Sequence, residues 1–150
     1  MADEPATEIL DATYRALCEH GYANLTLQDI AAEADTSTAS IHYHYDSKNQ
    51  LFAVFLDDLY ERFTDRVDSP DGDTPREQLD TLLQVLLSTE ADPSLRAFRT
   101  AMLELKAQAP YDPALQERLT DFDEFLFDQL REILAAGVTA GEFDDHIEPP

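Results

Sequence analysis

Lysine is almost missing from this chain: Lys48 and Lys106 are the only two, and all basic residues together number 10 against 32 acids. The resulting formal charge of −22 excludes an ordinary electrostatic binder of polyanions, which presents a basic surface. Cysteine is equally scarce. A lone Cys18 permits no internal disulfide framework and suits a reducing interior. Long apolar runs are missing too, since the longest, Leu51–Leu56, is far short of a bilayer span. The opening MADEPATE is acidic and lacks the basic-then-apolar order of a secretory signal. These absences place the chain in the cytoplasm, away from membranes. No phosphate-cradling glycine loop, nucleophile elbow or zinc-type spacing occurs, so neither enzyme activity nor a metal or cofactor is expected.

What the chain does have is core material. Hydrophobic residues make up 43% of its 150 positions, which separates it from disordered chains of similar charge. The acids recur along the whole length, between apolar positions, rather than forming one solvating tail. Two readings follow. One is an acidic soluble protein with basic protein partners. The other is a halophilic protein living in molar potassium salt. At about 1 M salt the Debye length is about 3 Å, so carboxylates repel only near neighbours. The scarcity of lysine and the even spread of aspartate favour the second reading.

Nearly every segment has helical periodicity, and no strand of any length is convincing. The expected fold class is all-α. Leu10, Tyr14, Leu17 and Cys18 share a stripe that stops at His20-Gly21. Thr26 caps a short helix with Asp29 in its first turn, and Ile30, Ala31 and Ala34 supply its small apolar face. Asp35 stands where the chain must turn, and aspartate tolerates left-handed backbone better than most residues other than glycine and asparagine. Ser37 caps a third short helix reaching about Tyr43. Ser47 with Gln50 forms a capping box that opens a long helix bearing Leu51, Phe52, Phe55, Leu59, Phe63 and Val67. The loop DSPDGDT (68–74) is a candidate module boundary. Thr74 with Glu77 is a second capping box, ahead of Leu79, Leu82, Leu83, Leu86 and Leu87. Asp92-Pro93 and Asp112-Pro113 are two further start signals. The first opens a helix with Phe98, Met102 and Leu105 on one face, and the second a helix that closes near Gly137–Gly141.

The segment GYANLTLQDIAAEADTSTASIHYHYDSKNQLF, with the helix before it, resembles the DNA-binding module of the tetracycline-repressor (TetR) family of one-component regulators. The resemblance runs from about Ile9 to Phe55. It rests on the order and spacing of Gly21-Tyr22, Thr26, Ile30-Ala31, Ala34, Ser37, the aromatic cluster at 42–45 and Ser47-Lys48. With the charge pattern added, it points to a member of haloarchaeal type. The implied architecture is a three-helix helix-turn-helix domain at 1–47. A long fourth helix joins it to an antiparallel helical ligand-binding and dimerisation domain at 48–150.

The resemblance implies roles for single residues. Thr38, Ala39 and Ser40, on a helix lying in the major groove, face base edges, and Gln28 reaches a base from the preceding helix. Thr26, His42, Tyr43, His44 and Lys48 match positions that hold phosphates, which set register without reading sequence. Candidate walls of an effector pocket are Phe55, Leu59 and Phe63 on the fourth helix, Leu83 on the fifth, and Phe98, Met102 and Phe122 beyond. The implied partners are a double-stranded DNA operator, a small-molecule effector and a second copy of the chain in a homodimer. The implied output is transcriptional repression.

Departures from the family pattern are plain. Asp35-Thr36 stands where relatives usually carry Gly-Val, Thr38 where a basic or amide side chain is common, and His42 where tyrosine is frequent. The first fifty residues hold two bases against nine acids. After GEFDD the family continues through another apolar helix, whereas this sequence reaches HIEPP. Either a final helix is lacking because the chain is shortened, or dimerisation uses the 113–136 helix alone. The alternative function is a helical protein-interaction module of helix-turn-helix shape that does not bind DNA. His42 and His44 sit two apart and so on different helix faces, Asp57-Asp58 and Asp144-Asp145 are expected to diverge as sequence neighbours, and Cys18 is expected to be a small core residue.

The charge pattern makes a direct prediction about stability. Melting followed by circular dichroism rises steeply as KCl goes from about 0.1 M to about 2 M, because screening removes the repulsion within the fold. A melting temperature indifferent to KCl refutes the salt-adapted reading.

Overall fold

In a computed structural model of the chain, which describes residues 4–67, 70–87 and 93–146, the periodic segments become helices and no strand occurs among the described residues. The elements are α1 (Glu4–Asn24), α2 (Leu27–Glu33), α3 (Thr38–His44), α4 (Lys48–Val67), α5 (Pro75–Leu87), α6 (Pro93–Gln108) and α7 (Pro113–Thr139). A single 3₁₀ turn, Ala109–Tyr111, links α6 to α7.

Packing divides the chain into two units. One holds 1–59 with 92–119, and the other holds 60–91 with 120–150. The division therefore falls inside α4 and inside α7. The first unit is centred on α1. Its buried face is Ile9, Ala12, Thr13, Ala16 and Leu17, while Leu10 and Tyr14 only flank the core. The expected stripe was thus displaced by one position. The reason is steric: alanines let α1 approach α6 closely, where Ala101 and Leu105 are buried against the same cluster. Thr13 joins this apolar contact because its Oγ1 donates to the Ile9 carbonyl at 2.7 Å. Cys18 is only half-buried, so it borders the core rather than filling it. Leu51, Phe52, Phe55 and Leu56 on α4, with Leu115 and Leu119 on α7, complete the cluster. Each such fully buried side chain contributes about 1.5–3 kcal/mol.

The second unit is smaller. Leu82 and Ile133 are its buried centre, with Phe63, Leu79, Leu86, Phe125, Leu126 and Leu130 packed around them. At its far end the exposed Arg76 ties down the chain after α7: its backbone N–H donates to Glu142 Oε2 at 2.9 Å and its Nη2 to the Glu142 carbonyl at 3.2 Å. Phe143 occupies the space over Gly137, where an added Cβ would collide with the ring.

The helix starts follow the sequence with one correction. Thr26 and Asp29 make a full reciprocal capping box. Ser47 and Thr74 each accept the N–H three residues on, at 3.1 and 3.3 Å. However, Gln50 and Glu77 reach back to Asp46 and Asp73, one residue beyond the box position. Those longer side chains satisfy a donor outside the helix instead. Asp112 Oδ1 accepts from Ala114 and Leu115 as an N-cap should. Its counterpart Asp92, parts of the 68–74 loop, and the side chains of Val67 and Phe98 lie outside what is described.

The turn between α2 and α3 has one strained residue. Asp35 has φ +50°, the left-handed region, while the N–H of Thr36 donates to the Ala31 carbonyl at 3.0 Å. Asp35→Gly is expected to stabilise the fold by about 0.5–1 kcal/mol, since glycine takes this backbone without a Cβ clash. Asp35→Val is expected to destabilise it. Urea unfolding in concentrated KCl checks both signs.

Candidate nucleic-acid interface

Helix α3 is held by two anchors and offers the rest of its surface. Ile41 is wholly buried and Tyr45, just past its end, is nearly so. Ser37 Oγ accepts the Ser40 N–H at 3.1 Å and fixes the start of the helix. With those positions pinned, Ala39, His42 and Tyr43 are exposed, and Thr38, Ser40 and His44 are half-exposed. Tyr43 is 86% exposed, the most exposed of the large hydrophobic side chains among the described residues. Its ring lies perpendicular to that of His44, with centroids 5.1 Å apart. Gln28 on α2 is exposed as well. An exposed row of hydroxyls, a methyl, imidazoles and a phenol is able to form hydrogen bonds in either sense and to touch methyl groups, but carries no fixed positive charge.

Thr26 has a more complex setting than the sequence suggested. Its hydroxyl donates to Asp29 Oδ2 at 2.8 Å, and its N–H donates to the same oxygen at 2.9 Å. In return Thr26 Oγ1 accepts the Asp29 N–H at 3.2 Å. The two bonds from Thr26 hold the Asp29 carboxyl below the ordinary carboxylate range. A carboxylate therefore stands beside a hydroxyl expected to meet phosphate.

Lys48 begins α4 and turns inward. Its Nζ donates to the Tyr22 carbonyl at 2.8 Å and lies 4.3 Å from the centre of the Tyr22 ring. Partial burial pushes the ammonium below its usual value, with Asp29 and Glu104 pulling the other way. Tyr22 packs edge-on against Phe52 at 4.9 Å. Burial, and then the charge of Asp112, push its phenol up. Burial, and then Asp58, do the same to Tyr45. Sequence reasoning found Tyr22 and Lys48 but missed Glu104, whose Oε2 accepts the Ala23 N–H at 3.0 Å. No local signal marks Glu104, since it lies 81 residues from its partner.

The expected effector residues are distributed as follows. Phe55 is buried, and Leu59 and Met102 are packed against the core of the first unit. Phe63 and Phe122 belong to the second unit, where their rings lie 4.6 Å apart and Tyr60 and Phe125 join them. Leu83 is 38% exposed on α5, and the Phe98 side chain lies outside the described residues. Two open hollows of about 440 and about 500 Å³ are present, the first lined by Glu8, Asp11, Arg15 and the end of α2, the second by Glu124, Phe127, Asp128 and Arg131. Neither includes an expected effector residue. Near the end of the described chain, the ligand atoms of Asp144, Asp145 and His146 lie within 4.8 Å of one another. The expected divergence of that acidic pair is thus corrected: His146 draws both carboxylates to its Nδ1, at 3.7 and 3.0 Å. All three are exposed. No described helix is long and apolar enough to cross a membrane.

Residues 9–54 match the family of bacterial regulatory proteins called tetR, and residues 75–149 match the C-terminal domain of BetI-type transcriptional repressors. The transcriptional repressor KstR2 of Rhodococcus jostii is 32% identical over 95% of this chain and 69% of its own length. A TetR transcription regulator of Haloarcula marismortui superposes with a TM-score of 0.83 at 42% identity, covering 95% of this chain and 74% of that one. A transcriptional regulator structure from Saccharomonospora viridis in complex with choline gives a TM-score of 0.85 at 26% identity, covering 95% of this chain and 74% of that one. The chain spans about two thirds of the length of the curated relatives that it matches over most of its own sequence.

The Thr26–Asp29 geometry predicts an acid-sensitive helix start. A carboxyl whose folded value is depressed adds stability that is present above the unfolded value near 3.8 and is lost as pH falls through the folded one. Asp29→Asn is therefore expected to flatten the loss of melting temperature on acidification below pH 3.8. An acid limb identical to that of the unsubstituted chain refutes it.

Proposed function

The chain belongs to the TetR family of bacterial regulatory proteins, and from that premise we propose that it acts as a transcriptional repressor whose hold on a DNA operator is altered by a small molecule. The observation that carries this reading is the outer face of α3, where the exposed Ala39, His42 and Tyr43 accompany the half-exposed Thr38 and Ser40 above a buried Ile41. Thr38, Ala39 and Ser40, with Gln28, read base edges by hydroxyl, methyl and amide contacts. Thr26, His42, Tyr43, His44 and Lys48 hold phosphates on either side. Residues 1–47 do the reading, and 48–150 bind the effector and pair two copies. A two-fold homodimer in the cytoplasm is the form that places two reading heads on successive half-sites.

The effector is an amphipathic or cationic compound. The ring cluster of Tyr60, Phe63, Phe122 and Phe125 supports this, because aromatic faces attract cations and cover apolar surface together. Choline, held by the regulator from Saccharomonospora viridis, is of that class. The effector acts by preferring one of two arrangements of the protein, which shifts their populations.

A body of charge −22 reads DNA because it works in concentrated salt. Most DNA-binding proteins draw affinity from releasing condensed counterions and lose it steeply as salt rises. In molar KCl that source is nearly exhausted for any protein, so hydrogen bonds, methyl contacts and shape fit decide the outcome. The 42% identity to a regulator from Haloarcula marismortui supports the same setting. Fluorescence anisotropy with a duplex from upstream of the protein's own gene tests the reading. Specific binding is expected at about 2–3 M KCl, where screening acts within a few ångströms, with affinity flat or rising as salt increases. A steep loss of affinity with salt refutes the salt-adapted reading. Indifference to this duplex and random duplex alike refutes DNA recognition, and then favours the protein-interaction module.

A further inference from the structure

We propose that Glu104 is a positioning residue for operator binding: brought by α6 onto the last turn of α1, beyond its kink at Gly21, its carboxylate fixes the backbone from which Lys48 and Thr26 are held. The proposal rests on the DNA-binding reading above.

Four consecutive contacts carry it. Gly21 has φ +70°, and a Cβ there would stand 2.8 Å from Glu104 Oε1. Only a residue without a side chain lets the carboxylate come this close at this backbone angle. Two residues on, the Ala23 N–H donates to Glu104 Oε2 at 3.0 Å. Between them, the Tyr22 carbonyl points the other way and accepts from Lys48 Nζ at 2.8 Å. The same carbonyl accepts the Leu25 N–H at 3.4 Å, and Thr26 follows as the cap of α2. One peptide unit is thus clamped between an acid of α6 and the base that opens α4.

The clamp depends on where α6 lies. Glu104 sits one residue before Leu105, which is wholly buried in the shared cluster with Ala101 and the alanines of α1. A shift of α6 by about 1 Å takes the Ala23 bond out of hydrogen-bond range. The bond is charge-assisted, so its loss is felt more than that of a neutral pair. The Tyr22 carbonyl then loses its fixed direction, and Lys48 and Thr26 lose theirs with it. Glu104 touches no DNA in this scheme. It acts through the turn.

Operator binding measured by anisotropy in about 2 M KCl, on the full chain with the upstream duplex, decides the matter. Glu104→Ala is expected to weaken binding about tenfold, the size of one charge-assisted hydrogen bond, with faster amide exchange at Ala23. Glu104→Gln keeps an acceptor oxygen and is expected to restore both. Equal affinity of the unsubstituted chain and Glu104→Ala overturns the proposal alone, as does Glu104→Gln binding as weakly as Glu104→Ala. No specific binding by the unsubstituted chain overturns the DNA-binding reading and this proposal together. Should Glu104→Ala fail to fold, Glu104→Asp decides, since its shorter reach misses Ala23: weakened binding supports the proposal, and undiminished binding overturns it.

Discussion

Close approach of α1 to α6 is the constraint on which the first unit depends. Two alanines on α1 and one on α6 are buried at that contact, and small side chains there bring two backbones near enough for polar groups to meet at its edge. The Glu104 carboxylate reaching Ala23 is one result. The turn that carries Tyr22 is another, because Gly21 must vacate the space that the carboxylate takes. From this turn α2 and α3 follow within a few residues, so the outer face of α3 inherits its placement from a contact formed by residues far along the chain.

Charge imposes the second constraint. With so few cations available, several of the described ones are used locally. Lys48 serves a carbonyl and an aromatic ring. Arg15 pairs with Glu33 at 3.3 Å and also reaches its carbonyl. Arg118 joins the start of α7 to Asp57 of α4, with Nε 2.9 Å from Oδ1 and Nη2 donating to Oδ2 at 3.1 Å. These pairs are mostly exposed, and such pairs contribute little in water of high dielectric. Their worth lies in fixing register between helices within a negatively charged unit.

Much of the local structure was legible because it depends on neighbours in sequence. The capping pair Thr26–Asp29, the Ser37 cap, the left-handed Asp35 and the aspartate cap of α7 all formed as their spacing implied. Where a reading was displaced, a longer-range demand prevailed. The buried stripe of α1 moved to the alanine face because α6 packs there, and Gln50 and Glu77 satisfied donors one residue outside the capping box.

The sequence by itself therefore determined that this is an all-helical chain, where its helices begin and turn, and which polar residues crowd the third one. Those features follow from hydrogen bonds and apolar periodicity spanning a few residues. Only the tertiary structure decided that Lys48 turns inward to Tyr22 and that Glu104 closes on Ala23. Contacts between residues tens of positions apart are set by how helices pack in space, and no local pattern encodes the angle at which one helix meets another.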